Sequence, residues 1–274
     1  MNPNEQDRVN QAWYADPWSV DGMARRQGFT DEGERSAFWR IADEMRGRPI
    51  LDLGVGPGRT ITLLRALSAD YVGIDYLPTM VDAARARHPF ADIRLGDARS
   101  LGGFAAGRFA LVAFSYNGID SVSHADRQRV LAEVFRVLAP GGVFWFSTLN
   151  LHGPARRYRP WRPPAPRRPQ RALGWLRYAL EGLRGYARVP AHWRHYRQVL
   201  PLAEQGEGWA VAPFFAGEWR LLTHYVSLAR QLTDLAAAGF AAAAEVYDDA
   251  EGRGIGPDDA LDEVFSFNLL ARKP

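Results

Sequence analysis

The chain has 274 residues, 47% hydrophobic and 24% charged, enough to bury one sizeable core with an appended cap. It has no cysteine, which excludes disulfides, thiolate metal sites and a cysteine nucleophile. The net charge of +3 hides an asymmetry: residues 151–200 carry twelve arginines against one acid, Glu181, so the rest of the chain holds 22 basic and 30 acidic residues. The basic character therefore belongs to one segment and not to the fold. No stretch approaches the roughly 18 apolar residues of a spanning helix, and the polar start, Met1 to Asn10, has no apolar signal-peptide core. A cytoplasmic setting is expected. There is no internal repeat.

Asp31 followed by Glu34 forms a capping box that opens a helix to about Met45, with Phe38, Ile41 and Met45 as its apolar stripe. Pro49 to Leu53 is a short buried strand ending in glycines, and Thr60 to Ser68 is a helix facing inward through Ile61, Leu64 and Leu67. Tyr71 to Ile74 is the second strand. Pro78 starts a helix that ends before Pro89. Ile93 to Leu95 is a third, shorter strand, and the apolar run Phe109 to Phe114 is a central parallel strand buried on both faces. Ser123 to Leu138 is a helix, and Pro140-Gly141-Gly142 turns the chain into the strand Val143 to Ser147. After residue 222 the pattern resumes with a helix over Ser227 to Ala238, stopped by Gly239. A strand near Ala243 to Tyr247, a loop over Asp248 to Asp259 and a last strand over Phe265 to Ala271 follow. Strands alternating with helices at short spacing specify a doubly wound parallel α/β sheet.

Three motifs sit at successive strand ends. In Asp52-Leu53-Gly54-Val55-Gly56-Pro57-Gly58 the glycines let the backbone turn sharply and approach a ligand. A dinucleotide fingerprint would need glycine or alanine at position 59, where Arg59 stands. The leading carboxylate suits a cationic amino group better than a pyrophosphate. Asp75 ends the second strand, where a carboxylate accepts from both ribose hydroxyls of a nucleoside. Gly96-Asp97-Ala98 follows the third strand, placed for an adenine amino group.

These pieces, with YVGIDYLPTM, GDARSL and the run from FALVAFSYNGID to VLAEVFRVLAPGGVFWFSTLN, resemble the class I S-adenosylmethionine-dependent methyltransferase family, small-molecule type. The resemblance covers Pro49 to Asn150 closely and Thr223 to Pro274 more loosely, through Ala238-Gly239-Phe240. It implies a Rossmann-like, seven-stranded sheet whose last strand lies antiparallel between the fifth and sixth. It also implies S-adenosyl-L-methionine as cofactor. Carried over, Gly54, Val55, Gly56 and Gly58 lie under its methionine part and Asp52 orients the amino end. Asp75 takes the ribose, Tyr76 and Met80 flank the adenine, Asp97 and Ala98 read its amino edge, and Ser115 stands beside the methyl. Tyr116 and Asn117 end the fourth strand at the same place and are catalytic candidates.

Three units are expected: N-terminal helices over 1–48, a core over 49–150 and 223–274, and an insertion over 151–222. The insertion overhangs the edge where ligands of such folds bind and is rich in tryptophan and tyrosine. With Tyr14, Trp13 and Trp18 it reads as a helical, water-excluding substrate cap. Its charge favours a small acceptor bearing a carboxylate or phosphate. Leu173, Leu176, Leu180 and Leu183 stand at helical spacing among arginines, which also suits an anionic membrane surface. Arginines interleaved with aromatics suit RNA as well, and a dimer-forming arm is a further reading. DNA is not expected, and the protein is expected to be a monomer or homodimer. His192, His195 and His224 are candidate bases, with His224 and Tyr225 best placed where the insertion rejoins the core. His195 and Tyr225, with Tyr14 and Trp18, are the expected acceptor contacts, and His124 reads as a surface residue. The expected activity is methyl transfer to oxygen or nitrogen of a small metabolite. RNA methylation, a non-catalytic cofactor-binding partner and aminopropyl transfer remain the alternatives.

Overall fold

The computed structural model describes residues 3–162 and 174–274. Two helices come first, α1 (Pro3–Tyr14) and α2 (Pro17–Ala24). Asp16 caps α2 by accepting from the Trp18 amide at 2.9 Å, and Pro17 sits in the first turn, where no amide donor is needed. In α3 (Glu32–Met45), Asp31 accepts from the Glu34 amide at 2.7 Å, as a capping box requires. The Glu34 carboxylate reaches the amide of Thr30, one residue earlier than expected.

Strands and helices then alternate: β1 (Ile50–Leu53), α4 (Ile61–Leu67), β2 (Tyr71–Asp75), α5 (Pro78–Arg87), β3 (Asp92–Leu95), β4 (Phe109–Phe114), α6 (His124–Val137) and β5 (Leu138–Asn150). Next come α7 (Gly174–Ala187), α8 (Val189–Val199), β6 (Glu204–Gly206), β7 (Trp209–Phe214) and β8 (Leu221–Val226). The chain closes with α9 (Leu228–Ala237), β9 (Glu245–Asp248) and β10 (Ser266–Arg272). The expected sheet is present, in the order β3-β2-β1-β4-β5-β10-β9, with β10 antiparallel to both neighbours. Successive residues of a strand serve opposite faces. Leu51, Val112 and Phe144 pack with Val134 of α6 and Leu235 of α9, whereas Ile50, Leu111 and Trp145 pack with Ile41 of α3 and Leu64 of α4.

Among the described residues the sheet has ten strands, not seven, and the difference lies in β5, which runs well past the expected Val143 to Ser147. On one edge β10 pairs with it from Val143 to Leu149; on the other, β4 pairs only as far as Phe146. Beyond that point β8 takes the vacated edge, parallel, through Leu149–Tyr225 and Asn150–Val226, and β7 and β6 follow antiparallel. The physical cause is the turn after β4, where Tyr116 and Asn117 adopt φ of 53° and 57° and the chain leaves the sheet. The backbone groups of β5 exposed by that departure require partners. The insertion expected to be a helical cap is therefore half helix and half sheet extension. Of the expected leucine stripe, Leu173 lies outside the described residues.

A buried ion pair holds this extension. Arg127 and Asp120, both fully buried, meet at 2.5 Å. Asp120 also accepts from Thr148 Oγ1 and from the Leu149 amide, each at 2.7 Å, and Arg127 donates to Gln231 of α9. Burial pushes the Asp120 carboxyl up to about 6, against the pull of Arg127 and Thr148.

Candidate active site

A cavity of about 300 Å³ opens at the carboxyl ends of β1, β2 and β4, between the N-terminal helices and the β7–β8 hairpin. Ligands of open α/β sheets bind at this edge. Of the residues read from the sequence, Gly54, Val55, Gly56, Asp75, Tyr76, Met80, Asp97, Ala98, Ser115, Tyr116, Asn117 and Tyr14 all line it.

Asp75 is the hinge of one end. Its Oδ2 accepts from the Gly56 amide and its Oδ1 from the Leu77 amide, both at 2.9 Å. One carboxylate thus fastens the glycine loop to the end of β2 while facing the cavity. Burial raises its pKa, and the backbone donors partly offset that. Asp97 lies nearby and accepts the Arg99 amide and guanidinium, the closest contact at 2.7 Å. Burial pushes the Asp97 carboxyl up, but the bonds from Arg99 outweigh it and hold the group below the usual carboxylate range. Arg99 also meets Asp7 of α1 at 2.5 Å, joining the N-terminal helices to this wall.

The loop glycines have separate reasons. A Cβ on Gly54 would meet the Phe114 ring at 2.7 Å, and one on Gly58 the His88 ring at 2.5 Å; both are packing constraints. Gly56, with φ +54°, has nothing within 4 Å of such a Cβ, so a side chain there would stand in the cavity. The expectation that Gly58 lies under a ligand is corrected: it is not among the lining residues, because its Cα faces α5.

Asp52 is also corrected. It is fully buried behind the loop, not on the cavity wall, and its Oδ2 accepts from Thr60 Oγ1 at 2.8 Å and Tyr71 Oη at 2.9 Å. Its Oδ1 has no partner among the described residues. Burial pushes this carboxyl up to about 6, with Thr60 and Tyr71 pulling the other way. The group ties β1 to α4 and β2.

The turn after β4 carries the strain of the site. Left-handed backbone at Tyr116 and Asn117 costs energy unless the surroundings hold it. Here the Asn117 amide donates to Ser147 Oγ at 2.7 Å, and the guanidinium groups of Arg26 and Arg59 lie 5.0 and 5.5 Å from the centre of the Tyr116 ring. Arg59 is itself gripped by Glu34, at 2.6 and 2.8 Å, and donates to Ser115 Oγ at 2.9 Å. Two buried polar atoms of lining residues lack partners among the described residues: Asn117 Oδ1, an acceptor, and Trp13 Nε1, a donor.

Five more expectations are revised by geometry. His224 is fully buried on the face of β8 away from the cavity, with Nε2 3.1 Å from His124 Nδ1, and burial lowers its pKa. Its neighbour Thr223 lines the cavity instead. His124 is half-buried, not a surface residue, and stacks on Trp209 at 4.0 Å. Trp18 is 64% exposed, and His195 meets the Glu218 carbonyl at 3.2 Å; neither lines the cavity. Tyr225 is buried under Arg156 at 5.0 Å and borders a second cavity of about 350 Å³ beneath α8.

The far end of the main cavity is apolar and was not read from the sequence. Leu149, Phe214, Leu221 and Phe265 line it, with Met23 and Arg26 opposite. Thr223, Tyr225 and Val226 carry a strand signal that would have found one of these positions, Leu221.

The residues fit a nucleoside carrying a cationic amino-acid arm, such as S-adenosylmethionine. A carboxylate stands at the wall where ribose hydroxyls need acceptors, and the cradle at Gly56 is one that a Cβ would fill. Asn117 and Trp13 also line this space, and Asn117 Oδ1 and Trp13 Nε1 lack partners among the described residues.

Known proteins agree with this geometry. Residues 50–142 match the model of a methyltransferase domain. A probable S-adenosylmethionine-dependent methyltransferase of Mycolicibacterium smegmatis is 35% identical over 133 residues, 48% of this chain and 49% of that protein. A demethylmenaquinone methyltransferase of Thermus thermophilus is 36% identical over 109 residues, 37% of this chain and 47% of that protein. The chain thus spans about half the length of these relatives. In fold it is similar to an S-adenosylmethionine-dependent methyltransferase from Mesorhizobium loti (TM-score 0.53, 23% identity, 86% of this chain and 98% of that one). It is also similar to the 1,6-didemethyltoxoflavin-N1-methyltransferase of Burkholderia thailandensis, solved with S-adenosylhomocysteine (TM-score 0.57, 12% identity, 100% and 91%). No described helix is long and apolar enough to cross a membrane. Residues 50–142 thus form a methyltransferase domain, and the sheet order and strand-end acids of the chain are similar to those of S-adenosylmethionine-dependent methyltransferases.

Proposed function

We propose that this protein transfers the methyl group of S-adenosyl-L-methionine to an oxygen or nitrogen of a small molecule with an apolar body. One observation carries the reading. A single cavity joins a polar end, bordered by Asp75 and Asp97, to an apolar end, bordered by Leu149, Phe214, Leu221 and Phe265, and Tyr116 and Asn117 stand among the residues lining it. When bound, the cofactor supplies a methyl on a sulfonium, whose thioether leaves without needing a proton. The chain's own part is then chiefly positioning. Asp75 holds the ribose hydroxyls and the glycine loop together. Asn117 Oδ1, lacking a partner among the described residues, accepts the hydrogen of the attacking hydroxyl or amine and so aligns its lone pair. As the new bond forms, the acceptor's proton passes to solvent.

The hairpin β7–β8 and helices α1 and α2 exclude water from the apolar end, so the substrate-capping role falls to residues 214–223 and the N-terminal helices. Of the three arginines lining the cavity, Arg59 and Arg99 are paired with carboxylates. Arg26 has no ion pair among the described residues and is the cation available to an acidic group of the acceptor. The demethylmenaquinone methyltransferase relative, named for a small-molecule acceptor, supports this class.

The test is a transfer assay with methyl-labelled cofactor against separated metabolite and RNA fractions. Label is expected on oxygen or nitrogen of a small molecule, with S-adenosylhomocysteine formed in equal amount. Label in RNA, aminopropyl transfer, or tight cofactor binding with no transfer to either fraction would overturn the reading.

A further inference from the structure

Helix α7 projects from the arginine-rich segment with an apolar face that no described element covers. At the 100° step of an α-helix, Trp175, Tyr186, Ala179, Leu183, Ala187 and Leu180 fall in that order within an arc of roughly 140°. All six are exposed, Leu183 and Tyr186 by 67% and 64%, Trp175 and Leu180 by 53% and 44%. Arg184 follows next to this arc, and Arg188 comes directly after the helix ends. Exposed Trp161 and Trp193, edge to face at 5.4 Å, extend the aromatic surface along α8.

We infer that α7 is an interfacial helix that docks this protein on the surface of an anionic lipid bilayer, apolar arc down and arginines at the headgroups. The charge selects that occupant. Residues 151–200 hold twelve arginines and one acid, and Arg184, Arg188, Arg194 and Arg197 form no ion pair among the described residues. A face this basic repels a second copy of itself. An RNA would satisfy the arginines but offers nothing to the leucines. A bilayer interface satisfies both, because the aliphatic arc enters the acyl boundary while arginine stems reach back to phosphates. Tryptophan and tyrosine prefer the same depth, with an apolar body and a polar edge. The arm is coupled to the rest of the protein through Tyr196 of α8, edge to face with Trp219 at 5.6 Å, next to the 214–217 wall of the cavity. The inference stands on this helix and its charge, independent of the acceptor.

The test is cosedimentation of the whole protein with vesicles of phosphatidylglycerol and phosphatidylcholine, against phosphatidylcholine alone. Preferential binding to the anionic vesicles, weakened by salt, is expected. Leu183→Glu and the double variant Arg184→Glu/Arg188→Glu should each lose roughly tenfold or more of that binding. Thermal unfolding and S-adenosylhomocysteine affinity should stay at the parent values, which separates a lost surface from a lost fold. No preference for anionic vesicles, or parent-like binding by Leu183→Glu, overturns the inference. So does a dimer by light scattering that Leu183→Glu dissolves without any vesicle binding, or RNA bound in place of vesicles.

Discussion

The side chain of Asn10 closes both backbone hydrogen bonds of Leu222. The Leu222 amide donates to Asn10 Oδ1 at 3.0 Å, and Asn10 Nδ2 donates to the Leu222 carbonyl at 2.8 Å and to the Ser121 carbonyl at 2.7 Å. Leu222 pairs with Pro213 of β7 on one side, and the asparagine on α1 acts as its strand neighbour on the other. It thereby joins the N-terminal helices, the turn after β4 and the hairpin around one cavity. Asn10→Ala leaves three buried backbone groups unpaired and should cost about 1–3 kcal/mol in denaturant unfolding. Asn10→Asp, which cannot donate, should not restore it. Parent stability in both would show that water replaces the bonds.

Asp75 serves ligand and loop together. Asp75→Ala should weaken S-adenosylmethionine and S-adenosylhomocysteine alike by about 1.5–3 kcal/mol, the cost of losing hydrogen bonds to a charged acceptor. Because the Gly56 and Leu77 amides also lose their partner, the melting temperature should fall as well. Calorimetry giving parent affinity would remove the ribose assignment, and preferential binding of NAD would remove the cofactor.

Gly56→Asn tests the cradle. Asparagine tolerates the left-handed backbone that a β-branched residue does not, and nothing in the protein lies within 4 Å of the new Cβ. The variant should therefore fold with a melting temperature near the parent's and lose cofactor affinity at least tenfold, about 1.4 kcal/mol. Undiminished binding would mean that the cofactor lies elsewhere.

Asp52 predicts a pH dependence of stability. Burial lifts its carboxyl to about 6 in the folded protein from an ordinary value of 3.8, so between those limits the folded state keeps a proton that the unfolded chain releases. This stabilising contribution is present below about pH 4 and lost as pH rises to about 6. Asp52→Asn has nothing to titrate. The parent's stability relative to that variant should fall by about 1–3 kcal/mol across this window, read from urea unfolding at fixed pH values. Equal pH slopes for the two proteins would refute the shift.

Much of the site's polar end was legible because its signals are local. Asp75 and Asp97 stand at strand ends, and the glycine run marks a turn; each needs only its own few residues to be recognised. Gly58 and Asp52 show the limit of such reading. Both belong to the motif, yet the side of the loop each faces is set by His88 at the end of α5 and by Tyr71 of β2, which the motif does not contain. His224 was misplaced for a related reason. Adjacent residues of a strand face opposite ways, so one step of register gives the cavity to Thr223 and buries the imidazole against His124.

The sequence by itself determined the order of strands and helices along the chain and the acids at the polar end, while the antiparallel place of β10 was implied by the family resemblance. Periodicity, capping and turn chemistry act over a few residues and need no knowledge of the rest of the chain. Only the tertiary structure decided the apolar end. Its walls exist because the Tyr116–Asn117 turn takes β4 off the edge of β5, leaving backbone groups that β8, more than seventy residues later, must satisfy. Asn10, more than two hundred residues before Leu222, then holds that strand in place. Contacts of such span depend on which edges and faces remain unpaired once the core has formed, and no local pattern in the chain carries that information.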